Sequence, residues 1–190
     1  MAFSVGIEGD AEFSDEALRA AGAAAAGEGD FIAPAEVKRA NRSNVALRYL
    51  SPDSPRMFQL FRSGDLWLAG YLSFENDEIP VKVLAEQIFG FCRFVGRYYT
   101  ELGRKDAHLM LGVELSELSG KVIRSDGQSF SAYAPQIRTT AARSAGDINT
   151  SVAGCAARLL WSVGSDFGLP DAALKEIDTR IAAHFGENTR

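Results

Sequence analysis

Histidine is nearly missing from this chain: of 190 residues only His108 and His184 carry an imidazole. Two histidines exclude a multi-histidine metal centre, and no metal site or cofactor is expected. A Ser–His–acid triad would have to use one of them, and no G-x-S-x-G elbow exists to present a serine. His108 and Glu114 fall on one face of a predicted strand, but six residues of extended chain hold them about 20 Å apart. Cysteine is equally scarce. Cys92 and Cys155 lie in predicted helices on or beside apolar stripes, which suits buried thiols and excludes a disulfide framework. No run of about 20 apolar residues is present, so no membrane span is expected. No basic segment followed by an apolar stretch opens the chain, and that points to a cytoplasmic location.

Positive charge is also in short supply. The formal net charge is −5, and it is unevenly placed. Residues 1–30 carry Glu8, Asp10, Glu12, Asp15, Glu16, Glu28 and Asp30 against Arg19 alone, a net of −6, which leaves +1 for the rest of the −5 total. A near-neutral body with a pI of about 5.1 lacks the electrostatic footprint of a dedicated nucleic-acid binder. Two phosphate-site motifs are likewise incomplete. Ser119-Gly120-Lys121 resembles the end of a phosphate-binding loop, but Val122 stands where Ser or Thr is needed and Gly112 is too distant. Asp166-Phe167-Gly168 has the kinase metal-binding triplet without an H-R-D loop or glycine-rich lid. These read as a turn and a helix-ending loop.

What the chain does have is one long amphipathic segment. Residues 79–102 are predicted as a single helix, with Pro80 in its first turn and Gly103 as a stop. Val81, Leu84, Ile88, Phe91, Cys92, Val95, Tyr98, Tyr99 and Leu102 share one side of the helical wheel. Lys82, Glu86, Arg93, Arg97 and Glu101 share the other. Phe89 and Phe94 project to the flanks, while Gly90 and Gly96 interrupt the helix. Either the glycines admit a packed neighbour or they open a groove for a ligand or partner.

Around this helix the periodicity switches to two. Strands are predicted over Val45–Leu50, Arg56–Arg62, Leu66–Phe74 and His108–Leu115, the second and third forming a hairpin on Ser63-Gly64-Asp65. Lys121–Arg124 and Ser129–Tyr133 form another hairpin around Asp126-Gly127, and Gln136–Ala142 adds a strand. Two helices close the chain. Asp147 caps the first, whose stripe is Ile148, Val152, Cys155, Leu159 and Val163; the second opens near Pro170 and carries Leu174, Ile177, Ile181 and Phe185. This order lacks regular β–α alternation. It predicts an α+β fold, a mainly antiparallel sheet with the long helix packed across it and two C-terminal helices. Residues 1–30 are set apart as an acidic Ala/Gly-rich arm or docking helix, capped at Ser14, and 31–190 form a single domain.

Around Phe58-Gln59-Leu60-Phe61-Arg62-Ser63-Gly64 the chain resembles bacterial Schlafen-like proteins, the DNA- and ATP-binding family with an AlbA-type N-terminal half. The likeness continues through Leu102-Gly103, Leu109–Leu115, Leu118-Ser119-Gly120-Lys121 and Leu160-Trp161, covering residues 56–165. It falls in the C-terminal half of those proteins. The AlbA-type half, with its nucleotide-associated turn, has no counterpart here, so ATP binding does not carry over. The resemblance implies an accessory module of a bacterial system, in defence or regulation.

Two functions are therefore expected. The first is a non-catalytic interaction or assembly module with a protein partner or a second copy of itself, using Trp67 and Tyr71 on one strand face and Met110 on another. The second is a sensor of a small anionic ligand such as a nucleotide, held near Arg62, Arg93 and Arg97. Arg93 and Arg97 are like charges at i,i+4, favourable only where acids or an anion meet them.

Overall fold

The computed structural model describes residues 1–9, 12–25, 38–39, 45–50, 57–70, 77–125 and 127–186, and Tyr71 lies outside them. The order of elements is β1 (Ala2–Ile7), α1 (Asp15–Ala25), β2 (Lys38–Arg39), β3 (Val45–Leu50), β4 (Met57–Phe61), β5 (Leu66–Ala69), α2 (Val81–Glu101), β6 (His108–Leu115), β7 (Val122–Ser125), β8 (Gln128–Ser131), β9 (Ile137–Ser144), α3 (Ala145–Thr150), α4 (Val152–Asp166) and α5 (Asp171–Gly186). The fold is α+β. Among the described residues seven strands form one sheet in the order β2-β3-β4-β5-β1-β6-β9, antiparallel at each pairing, and β7-β8 is a separate hairpin.

Acidic composition sets residues 1–30 apart from the domain; the structure builds the described part of them into it. β1 lies between β5 and β6, with Phe3 opposite Leu68 and Val113, and Val5 opposite Leu66 and Leu111. Phe3 and Val5 are buried. The six residues of β1 alternate apolar and small, and that alternation, rather than the charge around it, decides their place. α1 starts where the sequence predicts it: the Ser14 hydroxyl accepts the Ala17 amide at 3.1 Å. Its buried residues Leu18, Ala21 and Ala25 pack on this chain's own α2.

α2 runs across the sheet between α1 on one side and α3 and α4 on the other. It begins two residues later than predicted, with Pro80 at the cap position. Gly103, at φ +70°, ends it: the Gly103 amide bonds to the Thr100 carbonyl at 2.9 Å and the Arg104 amide to that of Tyr99 at 2.7 Å, a Schellman motif. Phe91 stacks on Phe3 of β1 with ring centres 4.6 Å apart, and Phe94 meets Phe58 of β4 edge-on at 5.7 Å. Both flanking phenylalanines, Phe89 and Phe94, are thus core residues. Gly96 is where α3 docks. A Cβ there would fall 2.5 Å from Asn149 Oδ1, and Asn149 Nδ2 donates to the Gly96 carbonyl at 3.0 Å. For Gly96 the glycine admits a neighbour from the chain itself.

The first C-terminal helix is two. Asp147 does not cap it; Ser144 does, its hydroxyl accepting the Asp147 amide at 3.1 Å. The chain breaks helical geometry at Ser151 (φ −144°, ψ 67°) and resumes as α4. Ile148, Cys155, Leu159 and Val163 are nevertheless all buried, so one stripe continues through the break. Asp166-Phe167-Gly168 ends α4, with Phe167 buried and Gly168 at φ +72°. α5 packs on α4 through Leu174. The β7-β8 hairpin is tied to the start of α2 by Ile79 N–H to the Val122 carbonyl, 2.8 Å, and by ion pairs Lys121–Asp77 and Arg124–Glu78. No described helix is long and apolar enough to cross a membrane.

Candidate functional site

Helices cover one face of the sheet. A Cβ on Gly22 of α1 would lie 3.9 Å from Leu60, Phe91 of α2 stacks on Phe3, and α4 packs on β9. Side chains alternate between faces along each strand, so the residues out of phase with this core line the opposite face. Among the described residues no helix packs there.

Register assembles that face row by row. One row crosses seven strands at the positions of Lys38, Arg48, Gln59, Trp67, Ser4, Gly112 and Thr140. The next reads Met57, Ala69, Ala2, Glu114 and Arg138. A third, shorter row is Gly6, Met110 and Ala142. Trp67 and Met110, expected on separate faces, thus share one, separated only by β1. Met110 is 47 % exposed. Trp67 is half-buried beside Gln59, itself buried.

The composition of this face is unusual for solvent. Seven of its positions are Gly, Ala, Ser or Thr in the rows above, while Glu114 and the register-matched Arg138 bring charge to it, His108 stands at the strand end, and Arg48 and Lys38 continue the Gln59 row on β3 and β2. At the centre Ser4 leans over Gly112, where a Cβ would meet the Ser4 hydroxyl at 2.4 Å. Gly112 therefore leaves room for the Ser4 side chain at the middle of the sheet. A strand face exposed only to water ordinarily carries mostly polar and charged side chains; this one sets small residues, a tryptophan and a methionine among its charges.

The three candidate anion ligands are placed differently. Arg62, at the β4–β5 turn, pairs its Nε with Asp15 at 3.1 Å, and its carbonyl accepts the Phe13 amide at 2.8 Å. It fastens the start of α1 to the turn. Arg93 lies over the Phe89 ring at 5.8 Å, and burial, then the neighbouring Arg97, lowers its pKa from the usual guanidinium value. Arg97 is exposed on the same helix. Arg93 and Arg97 form one locus on α2 and Arg62 belongs to another element.

Among the described residues, no group of three His, Cys, Asp or Glu is arranged to hold a metal ion. Comparison with protein-family models, with curated proteins and with solved structures yields no match to this chain. Sequence reasoning misses Ser4, Gly112, Glu114 and Arg138 as members of the sheet face that carries Trp67. The alternation of Phe3, Val5 and Ile7 is the available signal; once β1 is a strand, the face it joins comes from register.

Proposed function

We propose that this chain is a non-catalytic interaction module whose contact surface is the face of the sheet on which no described helix packs, and that its occupant is the same face of a second copy. The carrying observation is the central row Trp67–Ser4–Gly112–Thr140, small beyond its tryptophan, beside exposed Met110. Two features favour a self-complementary contact. Glu114 and Arg138 lie side by side on the same face, so a two-fold axis can set each against its opposite charge on the partner. Small residues let two sheets approach to the usual spacing of about 10 Å. Five strands about 4.8 Å apart span roughly 24 Å, so reaching the ~800 Å² per partner of a stable complex requires most of this face. A single charge near its middle is then enough to disrupt it. The Schlafen-like resemblance of residues 56–165 is in keeping with an accessory module in a bacterial cytosolic system of defence or regulation.

Light scattering over a dilution series tests the reading. A dimer that dissociates on dilution is expected; a strict monomer at every attainable concentration contradicts it. A different protein partner on this face would leave the chain monomeric alone, and that outcome also removes the second copy as occupant.

A small anionic ligand on α2 is the second reading, favoured by one observation: Arg93 and Arg97 stand together with Arg93 partly desolvated. A ligand that binds only the folded state raises its apparent stability by RT ln(1 + [L]/Kd). A melting-temperature rise with ATP or inorganic phosphate, abolished by Arg97→Ala, is the expected result. No shift with either removes this reading.

A further inference from the structure

Cys92 and Cys155 are free thiols, both buried, with their sulfurs 3.6 Å apart across the packed helices α2 and α4. They are 63 residues apart in sequence. The S–H of Cys92 points at Cys155 and donates to its sulfur. A disulfide needs the sulfurs at about 2.05 Å, so the pair must close by roughly 1.5 Å, within reach of χ1 rotation and a small helix adjustment.

We propose that Cys92 and Cys155 are an oxidisable thiol pair that a hydroperoxide converts to a disulfide, clamping α2 to α4. The two sulfurs have different surroundings, and this assigns their order. Cys155 is the more accessible, at 5 % exposure against 0 % for Cys92. It accepts the Cys92 hydrogen bond and has Arg143 and Arg158 nearby, and these hold its pKa below the usual thiol value against the opposing effect of burial. Cys92, as donor in a fully buried setting, is pushed well above that value. Cys155 therefore supplies the thiolate that attacks peroxide.

The chemistry balances in two steps. The Cys155 thiolate attacks one peroxide oxygen; the O–O bond breaks, hydroxide leaves and takes a proton as water, and Cys155 becomes a sulfenic acid. The Cys92 sulfur then attacks the Cys155 sulfur, the S–O bond breaks, and the hydroxyl leaves with the Cys92 proton as a second water. In sum two thiols and one hydrogen peroxide yield one disulfide and two waters. Both oxidising equivalents come from the peroxide.

The experiment is exposure of the intact folded chain to hydrogen peroxide, a quench, then denaturation with an alkylating reagent and no reductant. Intact mass should fall by about two hydrogens, with neither cysteine alkylated, and dithiothreitol should restore both sites. In Cys92→Ser the sulfenic acid on Cys155 should persist and react with dimedone. In Cys155→Ser the oxidation of Cys92 should be at least tenfold slower. The wild-type mass alone decides the case should either variant fail to fold. Two alkylated cysteines after peroxide, or direct passage of Cys155 to sulfinic acid without disulfide, overturns the proposal. Equal dimedone labelling of Cys92 and Cys155 in the single variants overturns the assigned order.

Discussion

Tyr98 and Tyr99 are adjacent, both fully buried, and differ in one atom's fate. The Tyr99 hydroxyl donates to the Gly64 carbonyl at 2.6 Å, while that of Tyr98 has no hydrogen-bond partner among the described residues. Removing a satisfied buried group costs more than removing an orphan. Tyr99→Phe should destabilise the chain by about 1–3 kcal/mol because it strands the Gly64 carbonyl, whereas Tyr98→Phe should be neutral or slightly stabilising. Urea denaturation distinguishes them; equal losses would mean that something else satisfies Tyr98. The same burial raises the pKa of both phenols above the ordinary 10.0. The sign is fixed by linkage: the folded state keeps these protons when the unfolded chain releases them, so their contribution is complete below pH 10 and falls as pH rises beyond it. A Tm series from pH 8 to pH 12 should decline above about pH 10, less steeply in Tyr98→Phe. A flat series would contradict the burial of both rings. Arg62 and Tyr99 meet the same small turn. There Gly64, at φ +88°, accepts no side chain, since a Cβ would fall 2.7 Å from the Phe13 ring.

Elements are legible in the sequence where their period is long and uninterrupted. α2 repeats its apolar stripe for six turns, and β6 alternates through eight residues, so both appear close to their predicted bounds. The break at Ser151 is not legible, because the buried stripe from Ile148 to Val163 runs through it. β1 is obscured by the acids that come directly after it, from Glu8 to Glu16. Arrangement is harder still. That Trp67 and Met110 share a face depends on β1 lying between β5 and β6, a pairing across more than 60 residues that no local pattern encodes. The approach of α3 to α2 depends on a contact of the same kind. Gly96→Ala gains up to about 1 kcal/mol of helix propensity but drives Asn149 from its bonds to the Gly96 carbonyl and Thr100. A net loss of about 1 kcal/mol is expected, and Asn149→Ala in the same chain should recover part of it. Additive losses in the double variant would show that the two residues do not meet.

At the scale of the whole molecule, helices α1, α2 and α4 shield one face of the sheet, and among the described residues no helix covers the other, where small residues surround Trp67, Met110, Glu114 and Arg138. If copies of the chain meet through this second face, a charge placed on it must separate them, and a charge placed elsewhere must not. Sedimentation equilibrium of Met110→Glu beside Val83→Glu makes that comparison, since both residues are exposed, at 47 % and 40 %, but Val83 lies on α2 in the helical layer. Both variants should retain the wild-type circular dichroism. Met110→Glu should sediment as a monomer at concentrations where the wild type and Val83→Glu remain dimers. A wild type that is monomeric throughout, or dimers that survive Met110→Glu and dissociate with Val83→Glu, would show that the face is not where copies meet.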